Sequence, residues 1–131
     1  MTSEPKKLTK SERETIYDKC FGRCAYCGIK LEYKDMQVDH VKPLRLDGED
    51  EIQNMLPSCR SCNHYKRGNT LEAFRKMIEN IPDKLFRDSY IYRVGLRYRN
   101  VKPEKHKVKF YFEALQEVRD ERAKRYGVGN S

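Results

Sequence analysis

"VDHVKPLRLDGEDEIQNMLPSCRSCNHYKRGN", residues 38–69, sets an Asp-His pair, a lone Asn, a Cys-x-x-Cys turn and an Asn-His step within one short span. A second Cys-x-x-Cys, "CAYC", lies just upstream at Cys24 and Cys27 and matches Cys59 and Cys62 in kind. Four thiols offered on two such turns suit a tetrahedral site for a thiophilic metal, and Zn²⁺ is the usual occupant. In each turn the two-residue spacer lets both sulfurs face one ion. The gap between the turns is longer than in the shortest zinc ribbons, so a further element must sit inside the loop. That element is the Asp-His stretch. Cys24, Cys27, Cys59 and Cys62 are therefore read as a structural zinc cage, against the plainer reading of reduced cysteines in a small core. The fifth, Cys20, falls on the apolar face of a predicted helix and reads as a buried thiol.

Composition supports a stapled fold. The chain has 131 residues, which implies one domain, and only 37% are hydrophobic, with no Trp. A core of that size is modest and gains from a metal or other cross-link. Twenty-eight Lys and Arg stand against 20 Asp and Glu, a net charge of +8. Acidic partners follow, nucleic acid first and an anionic membrane surface second. The opening "MTSEPKKLTKSERE" has no apolar signal core, and no stretch is long and apolar enough to span a bilayer. A reducing cytoplasm is therefore expected, and there paired cysteines bind metal more often than they form disulfides.

Patterning places the elements. Ser11 with Glu14 fits a capping box, and Ile16, Tyr17, Cys20 and Phe21 share a helical face, so a helix is predicted over Glu12 to Phe21. "MQVDHV", Met36 to Val41, reads as a short strand stopped by Pro43. "LRLDGEDE" is a loop around Asp47-Gly48, and Ile52 to Leu56 is a helical turn or a short extended piece. Cys59 and Cys62 lead into a short helix ended by Gly68. A second helix carries Leu71, Phe74, Met77, Ile78 and Ile81, with Pro82 as its break. Phe86, Tyr90, Val94 and Tyr98 recur every fourth residue and favour one helix to near Asn100, although Tyr92, Val94, Leu96 and Tyr98 also alternate as in a strand. "KVKFYFE" alternates cleanly and is read as a strand, followed by a helix that frays.

A cage of four thiolates leaves its metal no open position, so it contributes to folding, on the order of 10 kcal/mol, and not to chemistry. Catalysis must come from the polar residues beside it. The Asp39 carboxylate and the Asn63 amide oxygen are hard ligands suited to Mg²⁺ or Mn²⁺. His40, with an unperturbed imidazole pKa of about 6.5, can take a proton from water near neutral pH. Because Cys59 and Cys62 fix the start of the next helix, Asn63 is held in place relative to the cage. One divalent ion, one base and a basic surface make a plausible phosphodiester hydrolase.

The order "CAYC…VDHVKP…N…CRSCNHYK" resembles the HNH endonucleases, of the ββα-metal or His-Me finger group, over residues 24–68. The resemblance implies an α+β fold: a small ββα-metal finger stapled by the four-Cys zinc site, with flanking helices. It implies that His40 is the general base, that Asp39 and Asn63 hold the catalytic Mg²⁺ or Mn²⁺, and that Asn54 either fixes the base's loop or orients His40. Many members carry His directly after the last cysteine. Here that residue is Asn63, which favours Mg²⁺ or Mn²⁺. His64, one place on, is an alternative ligand, or else a phosphate contact or surface residue. The implied activity is hydrolysis of DNA phosphodiester bonds to 5′-phosphate and 3′-hydroxyl ends. The rival reading is a non-catalytic zinc-ribbon module that binds nucleic acid.

The expected organisation is a disordered N-terminus (1–7), an N-terminal helix (8–23), the nuclease core (24–68), a basic extension (69–120) and a flexible tail (121–131). Between Arg87 and Lys109 eight basic residues face only Asp88 and Glu104. Such a run is either a phosphate-backbone surface or a solvated face. Arg93 and Arg97 from this run, with Arg60, Lys66 and Arg67 beside the proposed site, are read as DNA contacts. Double-stranded DNA is the expected partner, and specificity is either low or supplied by a partner protein. Phage packaging, restriction and mobile elements are equally compatible settings, and oligomeric state is not legible.

Overall fold

The computed structural model describes residues 7–127, so residues 1–6 of the tail expected at 1–7 and residues 128–131 of the tail expected at 121–131 lie outside the described residues. The fold is α+β: a two-stranded antiparallel sheet and six helices among the described residues, with four cysteines gathered in one place. The chain divides into two compact units. One comprises the segments up to Thr70 and from Lys109 onward; the other is Leu71–Val108. The stretch expected to form one basic extension, residues 69–120, thus lies across both.

In the first unit, α1 (Lys10–Asp18) starts two residues earlier than the sequence indicates. Thr9, not Ser11, is its N-cap: the Thr9 hydroxyl accepts from Glu12 N–H and the Glu12 carboxylate accepts from Thr9 N–H. The helix also ends earlier. Phe21 then adopts a positive φ of 55° and points outward, 69% exposed, while Ile16 and Cys20 are buried as their face predicts. β1 (Gln37–His40) pairs with β2 (Met55–Ser58), Asp39 opposite Leu56 and His40 opposite Met55. The piece from Ile52 therefore takes both forms proposed for it, a 3₁₀ turn to Asn54 and then a strand. Ile16, Leu31, Met36 and Met55 form the core, and Lys19 donates to the carbonyls of Ile52 (2.5 Å) and Met55 (2.7 Å), pinning α1 to that strand. α2 (Arg60–Lys66) follows, so the order β1, β2, α2 is the expected ββα unit.

The loop between the strands is clamped. Asn54 donates through its amide to the carbonyls of Lys42 (2.9 Å) and Glu49 (2.8 Å), and its side-chain oxygen accepts from Lys42 N–H (2.9 Å). Gly48 fits inside this clamp only because it lacks a side chain: a Cβ there would lie 1.9 Å from the Lys42 carbonyl oxygen.

"KVKFYFE" is not a strand. Phe110 and Phe112 do fall on one side, as alternation requires, and their rings stack 6.5 Å apart. They pair with neither strand of the sheet, however. Tyr111 and Phe112 instead donate to the carbonyls of Tyr26 (3.1 Å) and Ala25 (2.8 Å), and α6 (Tyr111–Tyr126) begins there. Residues 121–126, expected in a flexible tail, continue that helix.

In the second unit, α3 (Leu71–Glu79), α4 (Ile81–Asp88) and α5 (Tyr90–Arg97) replace the two helices predicted. Pro82 opens α4, where its missing N–H costs nothing. Ser89 separates α4 from α5 and caps the latter by accepting from Tyr92 N–H (3.1 Å). The helical reading of 90–97 holds over the strand alternative.

Gly48→Ala should destabilise the protein by about 1–3 kcal/mol, since backbone must shift to admit the methyl group. Denaturant titration of the two proteins measures this, and equal midpoints would show that the loop is not closed as described.

Candidate active site and metal cage

The sulfurs of Cys24, Cys27, Cys59 and Cys62 lie within 4.8 Å of one another, the one such cluster among the described residues. Cys27 and Cys59 Sγ are 3.9 Å apart. A tetrahedron with Zn–S bonds of about 2.3 Å has edges of about 3.8 Å, so the donor set fits a structural metal such as zinc. Hydrogen bonding with Cys62 favours the thiolate of Cys24 and draws its pKa down to about 4, while the same contact raises Cys62. Sulfurs so crowded share protons that a metal would displace. Cys59 is also the N-cap of α2, its Sγ accepting from Cys62 N–H (3.4 Å). Cys20 stands apart as predicted, its thiol pushed up to about 11, first by burial.

Below the cage, Asp39, His40 and Asn63 line one cavity of about 330 Å³, together with Arg45, Arg67 and Gly68. Strand neighbours normally face opposite ways. Here His40 is the last strand residue, and both residues line the cavity at that edge. Asn63 follows the last cage cysteine on α2, and its amide has no hydrogen-bond partner among the described residues. His64 is exposed and outside the lining. The helix register thus turns Asn63 to the cavity.

Asp39 is 6% exposed, and its Oδ2 is held from behind by two donors. One is the Tyr26 hydroxyl. Burial first, then the Asp39 charge, raises the Tyr26 pKa, so the phenol stays protonated and donates. The other is Lys66, whose ammonium lies 3.0 Å away. Lys66 also donates to the carbonyls of His40 (3.2 Å) and Val41 (3.4 Å). Being 0% exposed, it cannot meet a phosphate, which corrects its placement among the DNA contacts. In a run of basic residues nothing marked it as internal. Tyr26 is itself fixed edge-on against Phe110 (5.3 Å) and Phe112 (6.1 Å).

Asn54 does not touch the His40 ring, so of its two expected roles the structure has the loop-fixing one. The ring's partner is Asp50: His40 Nε2 is 2.8 Å from Asp50 Oδ1, both side chains partly buried. Asp50 was not singled out, because it is one of four acids in residues 47–51.

Of the other basic residues, Arg60 and Arg67 are exposed. Arg67 has φ 54° and its N–H bonds to the Asn63 carbonyl (3.0 Å); this left-handed residue brings it to the cavity wall. Arg45, missed in the sequence, lines the same wall and donates to the Gly68 carbonyl (2.5 and 3.0 Å). In the other unit Arg93 is spent on the carbonyls of Phe86 (2.6 Å) and Arg87 (3.0 Å) at the end of α4, whereas Arg97 is exposed. Arg87 pairs with Asp88 and Lys105 with Asp83, so part of the basic run is neutralised locally.

Residues 24–68 match the HNH endonuclease family. The matched segment is about a third of the chain and contains the cage, Asp39, His40, Asn54 and Asn63. The match supports a nuclease-type function for that segment. No curated protein matches the chain. Among solved structures it is similar to the type II-C Cas9 enzyme from Actinomyces naeslundii, at 18% identity and a TM-score of 0.47, over 57% of this chain and 8% of that one. The chain thus spans less than a tenth of that enzyme. No helix among the described residues is long and apolar enough to cross a membrane.

Lys66→Ala should cost about 3–5 kcal/mol, because it leaves the Asp39 carboxylate buried without its counter-charge. A denaturation midpoint equal to wild type would show that the pair does not hold α2 to β1.

Proposed function

We propose that residues 24–68 form the centre of a metal-dependent endonuclease that hydrolyses phosphodiester bonds of double-stranded DNA, leaving 5′-phosphate and 3′-hydroxyl ends. The observation that carries this reading is the single cavity lined by Asp39, His40 and Asn63 and walled by Arg45 and Arg67. Its size and open, cationic wall suit a phosphate rather than an apolar ligand.

In this reading His40 takes the proton from the attacking water as the new P–O bond forms. Asp39 and Asn63 would hold Mg²⁺ or Mn²⁺: both offer hard oxygens, Asp39 keeps its second carboxylate oxygen outside the Tyr26 and Lys66 contacts, and the Asn63 amide is uncommitted. Such an ion, when bound, offsets the negative charge that builds on the departing 3′ oxygen. Tyr26 and Lys66 fix the rotation of the Asp39 carboxylate. Arg45 and Arg67 would bind non-bridging phosphate oxygens, and exposed Arg60 would bind a flanking backbone phosphate; Arg97, exposed in the other unit, would bind backbone phosphate as well, in each case without reading sequence. Sequence preference then comes from a partner protein or is low.

Supercoiled plasmid incubated with the protein and Mg²⁺ or Mn²⁺ should be nicked or linearised. The activity should vanish with EDTA and fall by at least about 100-fold in His40→Ala, the usual minimum for loss of a general base, while the variant remains folded by circular dichroism. Equal cutting by His40→Ala would remove His40 from the chemistry. Binding without cutting by the metal-loaded wild type would leave a nucleic-acid-binding zinc module.

A further inference from the structure

An acid that contacts the proposed base is the strongest feature left unused. Asp50 Oδ1 lies 2.8 Å from His40 Nε2. That contact is built rather than incidental. The Glu49 carbonyl, one residue before Asp50, is gripped by the Asn54 amide at 2.8 Å. The same Asn54 holds Lys42 through two hydrogen bonds, and its own carbonyl accepts from Val41 N–H at 2.9 Å. One side chain therefore fixes the backbone just after His40 and just before Asp50, and so sets the distance between them. Gly48 closes the intervening turn with its N–H on the Pro43 carbonyl (3.0 Å). Lys66 holds the other side of the strand end through the His40 carbonyl.

We propose that Asp50 is a positioning residue for His40: its carboxylate accepts the Nε2 proton, holds the imidazole in the Nε2–H tautomer and keeps Nδ1 as the proton acceptor. A carboxylate can only accept in such a pair, so it selects one of the two neutral tautomers as well as the ring's orientation. Asn54 acts on the base through this acid and not by touching the ring. The inference rests on His40 being the base in the reading above, but the tautomer is measurable without any cutting.

Asp50→Asn tests it more sharply than Asp50→Ala. The amide keeps the size and a hydrogen bond, so a merely structural role survives. An amide can also donate to the ring, however, so it no longer enforces the Nε2–H form, and the equivalent change in a Ser-His-Asp triad disables the His by this route. The chain has three histidines, and comparison with His40→Ala assigns the ring signals in long-range ¹H–¹⁵N spectra at mildly alkaline pH. Wild type should show Nε2 as the protonated nitrogen of His40. Asp50→Asn should keep the wild-type thermal midpoint and DNA affinity, lose that single-tautomer pattern, and cut about 10- to 100-fold more slowly. The proposal is overturned if wild type already carries the proton on Nδ1, or if Asp50→Asn retains both tautomer and rate. Should His40→Ala cut as fast as wild type, the base assignment fails, and the ring spectra still decide whether Asp50 orients the imidazole.

Discussion

Closure of four sulfurs around one point is the constraint on which the rest of the first unit depends. The turn carrying Cys24 and Cys27 is drawn onto the first turn of α2, where Cys59 is both cage member and helix cap. The helix start is then fixed, and with it everything at a set number of residues along α2. One step past the cage stands Asn63, facing the cavity. Three steps further, Lys66 turns inward and grips the end of β1 at Asp39 and at the carbonyls of His40 and Val41. A seven-residue helix is too short to be stable alone. Its position is held by a sulfur cage at one end and a buried ion pair at the other.

The cavity wall divides its labour by depth. Beneath it, charges are paired and hydrogen-bonded, as burial demands: Lys66 with Asp39, and Asp39 with a phenol kept protonated by its surroundings. At the wall, groups remain with spare capacity for a ligand, namely one carboxylate oxygen, the Asn63 amide and two guanidinium groups. The aromatic step of Phe110 and Phe112 against Tyr26 extends this support to a distant part of the chain, since the start of α6 packs on the residue that orients Asp39.

What the sequence disclosed and what it withheld follow one physical division. The cage was legible because Cys-x-x-Cys spacing is dictated by metal geometry within a few residues. Asp39, His40 and Asn63 could be singled out because their order is tied to that cage, and the structure brings them to one cavity. Lys66 was misplaced, and Tyr26 and Asp50 went unremarked, because their significance lies in contacts ten or more residues away, and residue type alone puts a Lys on the surface and an acid in a loop. The same limit explains "KVKFYFE": alternation records which side chains share a face, but a strand also needs its backbone paired along a neighbouring strand, and here the backbone donors go to Ala25 and Tyr26 instead. Ser89 is an ordinary helix-start residue, and passing over it merged α4 and α5 into one helix, while Pro82 marks a break as read but opens α4.

The most direct test of the whole arrangement is metal content measured together with thermal stability in Cys59→Ser. If the sulfur cage organises the fold, wild type carries one tightly held zinc per chain. The variant should then lose that zinc and several degrees or more of thermal midpoint at once. A variant that releases the metal yet melts with wild type would show that α2 and the cavity stand without the cage, and would contradict the account at its base.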